Sequence, residues 1–181
     1  MENQVYPTPL KNKYRCGDFP LNSSDLFLWT DDLSVATQSV DEQHRNLIGL
    51  INQLHAAIRD HHGQDIAREI LDALTESAQA HFMFEEGLMR LTFYAGYAAH
   101  KAQHETMMEE MRALQDALDD KSATINVELL HSHKNWWEQH IRVSDRSFSA
   151  HYEKSGLGEH AKTRKGTGGP AEKKSAWWKF W

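Results

Sequence analysis

The stretch Ala78–His104, AQAHFMFEEGLMRLTFYAGYAAHKAQH, decides how the rest of the chain is read. It holds two spaced pairs of metal-ligand side chains, His81 with Glu85 and His100 with His104. Four residues turn an α-helix by roughly 400°, so each pair falls on one face. One such pair arises easily by chance. Two on consecutive helical segments, one His/Glu and one His/His, point to a designed site. Imidazole with carboxylate suits iron or zinc better than calcium or magnesium, which prefer oxygen alone.

Outward from this stretch, apolar residues recur at the helical period in four segments. The first helix is expected from about Asp41, as its cap, to His61, with Gly63 as its stop. Its stripe is His44, Leu47, Ile48, Ile51, Leu54 and Ile58. The second is expected over about Asp65–Leu91, with Ile66, Ile70, Leu74, Ser77, His81, Glu85 and Leu88 on one face. A buried Glu is costly unless it is paired or bound to a metal, which makes Glu85 informative. The third runs from about Tyr97 to Asp120 on His100, His104, Met107, Met111, Leu114 and Leu118. The fourth runs from about Ser122 to Val143, with His133, Trp136, Trp137 and His140 around its inward face. Asp145 follows His140 by five residues, some 140° away on an ideal helix. Both reach one centre only if the helix ends or bulges between them, and Ser144–Asp145 looks like a boundary.

The pattern predicts an all-α, up-down-up-down four-helix bundle over residues 29–153. Residues 1–28 read as an extended arm, broken by Pro7, Pro9, Gly17 and Pro20. The arm carries the one cysteine, Cys16, which excludes an intramolecular disulfide and a thiolate cage. Residues 154–181 read as a flexible tail. Its last 23 residues carry net charge +4 against −10 for the rest, and it ends in Trp177, Trp178, Phe180 and Trp181. Such an aromatic end beside lysines is expected to dock on a protein partner or a membrane surface. The overall net charge of −6 argues against nucleic acid. Neither a signal pattern nor a membrane-spanning run is present, so a cytoplasmic address is expected.

Four helices thus deliver seven inward ligands: His44, His81, Glu85, His100, His104, His140 and Asp145. That is too many for one metal. Five imidazoles and two carboxylates suit two metals sharing bridging carboxylates and a solvent-derived oxygen. One metal is then saturated and the other has an open position for a small ligand.

The stretches WTDDLSVATQSVDEQHRNL, HFMFEEGLM, YAAHKAQH and WWEQHIRVSD, within residues 29–152, resemble the hemerythrin family in its bacterial form. All seven positions of that family's ligand pattern are filled. The resemblance implies two non-haem iron ions (Fe2+/Fe3+), oxo- or hydroxo-bridged, that bind O2 reversibly. It implies that His100, His104 and His140 hold the saturated iron, His44 and His81 the open one, and that Glu85 and Asp145 bridge. Leu47, Phe82, Trp136 and Ile141 match pocket positions and would form an apolar wall around the O2. None of them is a proton donor, so an O2 carrier or store is favoured over an enzyme acting on peroxide or nitric oxide. An O2 sensor that docks a partner through its tail is the alternative. Of the other histidines, His133 is the one expected nearest the site.

Overall fold

A computed structural model describes residues 25–61 and 63–157. Cys16, most of the N-terminal arm and the aromatic tail lie outside these residues. A 3-10 turn at Asp31–Leu33 leads into α1 (Gln38–Arg59), followed by α2 (Gln64–Leu91), α3 (Tyr97–Asp119) and α4 (Val127–His140). A π-helical turn, Ile141–Asp145, joins α4 to α5 (Arg146–Lys154). The four long helices form an antiparallel bundle, in which α1 packs on α2 and α4, and α2 on α3. No helix among the described residues is long and apolar enough to cross a membrane.

The core follows the expected stripes. From α1 come Leu47, Ile48, Ile51 and Leu54; from α2 Ile70, Leu71 and Leu74; from α3 Met107 and Met111; from α4 Leu130 and Trp137. In α2 the buried row starts at Ala67, and Ile66 faces solvent, because the row drifts by one position across the first turn. Ahead of α1, Phe27 is buried and exchanges two hydrogen bonds with Asn52, its N–H donating to Oδ1 and its carbonyl accepting from Nδ2.

Several boundaries differ from expectation. Asp41 does not cap α1. It lies one turn inside the helix, where its carboxylate accepts from the Val35 N–H at 2.9 Å and the Ser34 hydroxyl at 2.6 Å, tying back the incoming chain. Gly63 does not stop α1 either. The helix closes through His61 in the left-handed region (φ 55°), and Gly63 (φ 95°) precedes α2. Helix α4 starts five residues later than expected, at Val127, because the Asn126 side chain accepts from the Leu129 N–H and caps it there. Ser144–Asp145 is not a helix end: the π turn carries the chain onward into α5.

The α2–α3 connection brings the two ligand-bearing halves of the opening stretch together. Thr92 ends α2, Phe93 takes φ 54°, and Gly96 precedes α3. A Cβ on Gly96 would lie 2.7 Å from the tip of the Tyr94 ring, so any other residue there would require that ring to move.

Candidate metal centre

Each ligand arrives on a different part of the bundle. His44 lies one to two turns into α1. His81 and Glu85 lie near the end of α2, His100 and His104 near the start of α3, and His140 at the end of α4. All of these therefore meet at one end of the bundle. Asp145 joins them through the π turn. A π turn closes its hydrogen bonds five residues apart instead of four, so residue i+5 returns over residue i. Asp145 Oδ1 thereby comes to 3.0 Å from His140 Nε2.

The seven side chains sort into two groups. Glu85, His100, His104, His140 and Asp145 present ligand atoms that all lie within 4.8 Å of one another, and so do His44, His81 and Asp145. Asp145 is the side chain shared between the groups: Oδ1 faces His100 (3.2 Å) and His140, and Oδ2 faces His44 (3.1 Å). Glu85 sits in the three-histidine group, with Oε2 at 3.3 Å from His100 and 3.6 Å from His104. Both carboxylates are 0% exposed.

Orientation is set from outside the cluster. The Nδ1–H of His81 donates to Gln43 Oε1 (3.0 Å), that of His140 to Gln103 Oε1 (3.0 Å), and that of His104 to Glu86 Oε1 (3.2 Å). Gln103 Oε1 also accepts from Ser144 in the π turn. With Nδ1 carrying the proton, Nε2 presents a bare lone pair inward. The Nε2 atoms of His104 and His140 then face each other at 3.0 Å. Two lone pairs so placed repel unless a cation lies between them. In addition His44 Nε2, His81 Nε2, His100 Nε2 and all four oxygens of Glu85 and Asp145 are buried without a hydrogen-bond partner. Buried polar atoms are seldom left so. Their close approaches lack hydrogen-bond geometry because the atoms aim at common points and not at each other. The residues therefore fit two cations, one at each group.

The electrostatics agree. Burial, and then the charge of Asp145, push the Glu85 carboxyl up to about 8. Burial opposes charge on His100, yet its contacts with Asp145 and Glu85 raise it to about 9. Burial and the neighbouring His140 and His100 lower His104 to about 2, and burial with His44 holds His81 well below the usual imidazole range. Burial also opposes charge on Asp145, but His140, His100 and His44 outweigh it and keep the carboxyl well below its usual range. As side chains alone, Glu85 and His100 hold protons at neutral pH that a metal would displace.

Among the wall residues, Leu47, Phe82 and Ile141 are buried, Leu47 one turn after His44, and Phe82 and Ile141 directly after His81 and His140. Phe82 stacks on His104 (3.9 Å between centroids), and half-buried Trp136 stacks flat on His140 (4.5 Å, 11°). Both thus lie against the three-histidine group. Phe82 also lies 5.5 Å from His81, and behind it Trp137, 1% exposed, stacks on Phe82 at 6.0 Å from His81. The sequence reading did not include Trp137 in the wall, although it lies one turn from both His133 and His140. Gln43, Glu86 and Gln103 were missed too. Each is the sequence neighbour of a ligand but serves a ligand on another helix. His133 is not at the site. It lies two turns away among Ile51, Leu54, Leu71 and Leu74, with Nδ1 on the Leu129 carbonyl.

A buried carboxylate–histidine cluster at one end of an antiparallel four-helix bundle defines a cation-binding bundle protein. The hemerythrin HHE cation binding domain matches residues 35–151, and the chain belongs to the hemerythrin family. It is 32% identical over 127 residues to a bacteriohemerythrin of Stenotrophomonas maltophilia (68% of this chain, 80% of that one). It is 28% identical over 127 residues to a myohemerythrin of Sipunculus nudus (70% and 92%). The crystal structure of a wild-type hemerythrin superposes with a TM-score of 0.67 at 26% identity, covering 70% of this chain and 98% of that one.

Proposed function

We propose that this protein is a cytoplasmic O2 carrier, store or delivery module that binds O2 reversibly at a non-haem di-iron centre. The observation that carries the reading is the sharing of Asp145 between a three-histidine and a two-histidine group, both buried. In it His100, His104 and His140 would hold one iron and His44 and His81 the other; the Asp145 carboxylate lies in both groups, and Glu85, which lies in the three-histidine group, would be the second bridging carboxylate. The smaller ligand set leaves the second iron a position for O2. A nitrogen-rich set with two carboxylates favours iron over calcium or magnesium. Two ferrous ions so held would supply the electrons that bound O2 takes up and returns on release.

The protein's own part is orientation and exclusion. Gln43, Glu86 and Gln103 fix which imidazole nitrogen faces inward. Leu47, Phe82, Trp137 and Ile141 keep water and protons from the site, which disfavours loss of bound O2 as peroxide. The proteins it resembles are named hemerythrins, which supports binding over catalysis. We read the tail residues Trp177, Trp178, Phe180 and Trp181 as a docking segment for a protein partner or membrane surface; truncation after Pro170 then leaves O2 binding intact. The test of the central reading is the absorption spectrum of the iron-loaded, reduced protein. Charge-transfer bands should appear with air and vanish under argon through repeated cycles. Spectral changes that appear on first contact with air and do not reverse under argon, or a chain that takes up one zinc and no iron, overturn it.

A further inference from the structure

Three of the five cluster histidines have their outer nitrogen tied, and the three acceptors are not alike. Gln43 behind His81 and Gln103 behind His140 are neutral amides, whereas Glu86 behind His104 is a carboxylate. Glu86 directly follows Glu85 on α2, and the two point to different tasks. Glu85 enters the cluster, while Glu86 reaches the far side of the His104 ring with a side chain only 13% exposed. Its other ion-pair partner is Arg90, at 3.7 Å and 57% exposed, too solvated to neutralise it. A carboxylate that accepts an imidazole N–H draws the proton outward and raises the electron density on the opposite nitrogen, which an amide does far less. The tied acceptor on the two-histidine group, Gln43, carries no charge.

We propose that Glu86 is a positioning residue that polarises His104, making the three-histidine side of the centre the more electron-rich half, with Gln43 holding the two-histidine side neutral. This rests on the di-iron reading for its redox consequence, though not for its effect on metal affinity. An electron-rich ligand set stabilises the ferric state, so Glu86 lowers the reduction potential of the iron it serves. The unequal acceptors make the halves of the centre unequal in electronics as well as in ligand number.

The test uses the full chain with two variants. Glu86→Gln keeps an acceptor of the same shape and removes the charge; Gln43→Glu places a charge on the other side. Co2+ affinity of the chelated protein, measured by competition under argon, should fall about tenfold in Glu86→Gln. The midpoint potential of the iron-loaded protein, also under argon, should move positive in Glu86→Gln and negative in Gln43→Glu. A packing role alone would lower the melting temperature and leave the potential where it was. Unchanged affinity and potential in Glu86→Gln overturn the proposal, and so does an unmoved potential in Gln43→Glu. Neither readout involves O2, so failure to bind O2 counts against the proposed function and not against Glu86. If the chain takes no iron, the Co2+ comparison decides alone.

Discussion

The two ends of this bundle are built on the same inward stripes and meet opposite physical demands. Two to three turns from the cluster, Ile51, Leu54, Leu71, Leu74, Met111 and Leu130 fill the core with groups that gain by leaving water. At the other end the stripes present five imidazoles and two carboxylates, groups whose burial is costly unless something compensates. Helix periodicity alone cannot tell the ends apart, since a ligand and a leucine occupy the same face. The difference is that one end is stable by itself and the other is stable only when filled. The apolar half is what holds the ligands in place while the metals arrive.

That contrast breaks most visibly at Asp145. It is the side chain that belongs to both ligand groups, and it faces His44, His100 and His140 together. Asp145→Ala should lose both metals and leave buried imidazoles without their anion, at a cost of about 3–5 kcal/mol. Metal analysis of the purified variant should fall from two per chain toward none, with a large drop in melting temperature. Two irons per chain in this variant would show that Asp145 is no bridge.

The mirror experiment is at the apolar end. Leu54 is 1% exposed, and Leu54→Ala should cost about 2–5 kcal/mol through lost burial and the cavity left behind. Metal stoichiometry should nonetheless stay at two per chain. Equilibrium unfolding in urea with parallel metal analysis checks both halves of the statement. Loss of metal here would mean that the two ends are mechanically coupled and not separable.

A smaller effect, also confined to the metal end, is in pH. Above about pH 6.5 the histidines of an unfolded chain have given up their protons. In the folded, chelated protein Glu85, raised to about 8, and His100, raised to about 9, still hold theirs. The folded state then binds more protons than the unfolded one, so stability falls as pH rises from about 6.5 to about 9. Metal uptake must expel these same protons, so metal affinity rises over the same window. The gap in melting temperature between loaded and chelated protein should therefore widen toward pH 9. A gap that is flat with pH would mean that Glu85 and His100 are not protonated together in the empty cluster. The cost of Leu54→Ala should show no such trend.

How much of this was visible in the sequence follows from the same contrast. The bundle and the residues that meet at its end were legible because α-helical spacing maps directly onto faces, as with His81/Glu85 and His100/His104. The placement of Asp145 was legible only as a condition, an end or a bulge, because a π turn has no compositional signature in IRVSD. Helix ends were misjudged wherever the cap lay off the expected residue, as at Asn126 and His61, since several polar residues compete for each cap. Gln43, Glu86 and Gln103 were invisible for a different reason. They act across helices, and helical spacing within one segment says nothing about which side chain of a neighbouring helix will lie behind a ring. Trp136 and Trp137 could be placed near the site, but spacing did not say which of them stacks on His140 and which is buried behind Phe82, because adjacent residues differ by about 100° around the helix.

The smallest expected effect is at His133, where the two ends touch in character: an imidazole placed in the apolar half. Its Nδ1–H donates to the Leu129 carbonyl one turn back, and its Nε2 is buried with no partner. The surroundings are Ile51, Leu54, Leu71, Leu74, Leu114, Ile125, Leu129 and Leu130, around a cavity of about 10 Å3. That is room for one water, but a buried water needs two or more polar partners and this lining is apolar. The unpartnered nitrogen therefore weakens the core. His133→Leu removes it, leaves the Leu129 carbonyl to its ordinary helix bond, and adds a side chain of similar size beside a small void. The gain in removing a buried unsatisfied acceptor, about 1–3 kcal/mol at most, is offset by the lost hydrogen bond and by some repacking. The net expectation is a change between zero and about 1 kcal/mol in favour of the variant, with metal content, spectrum and pH trend all unchanged. Urea unfolding of the metal-loaded variant beside the parent measures it. A loss of more than about 1 kcal/mol, or any loss of metal, would show that His133 belongs with the cluster two turns away and that the boundary between the two ends has been drawn in the wrong place.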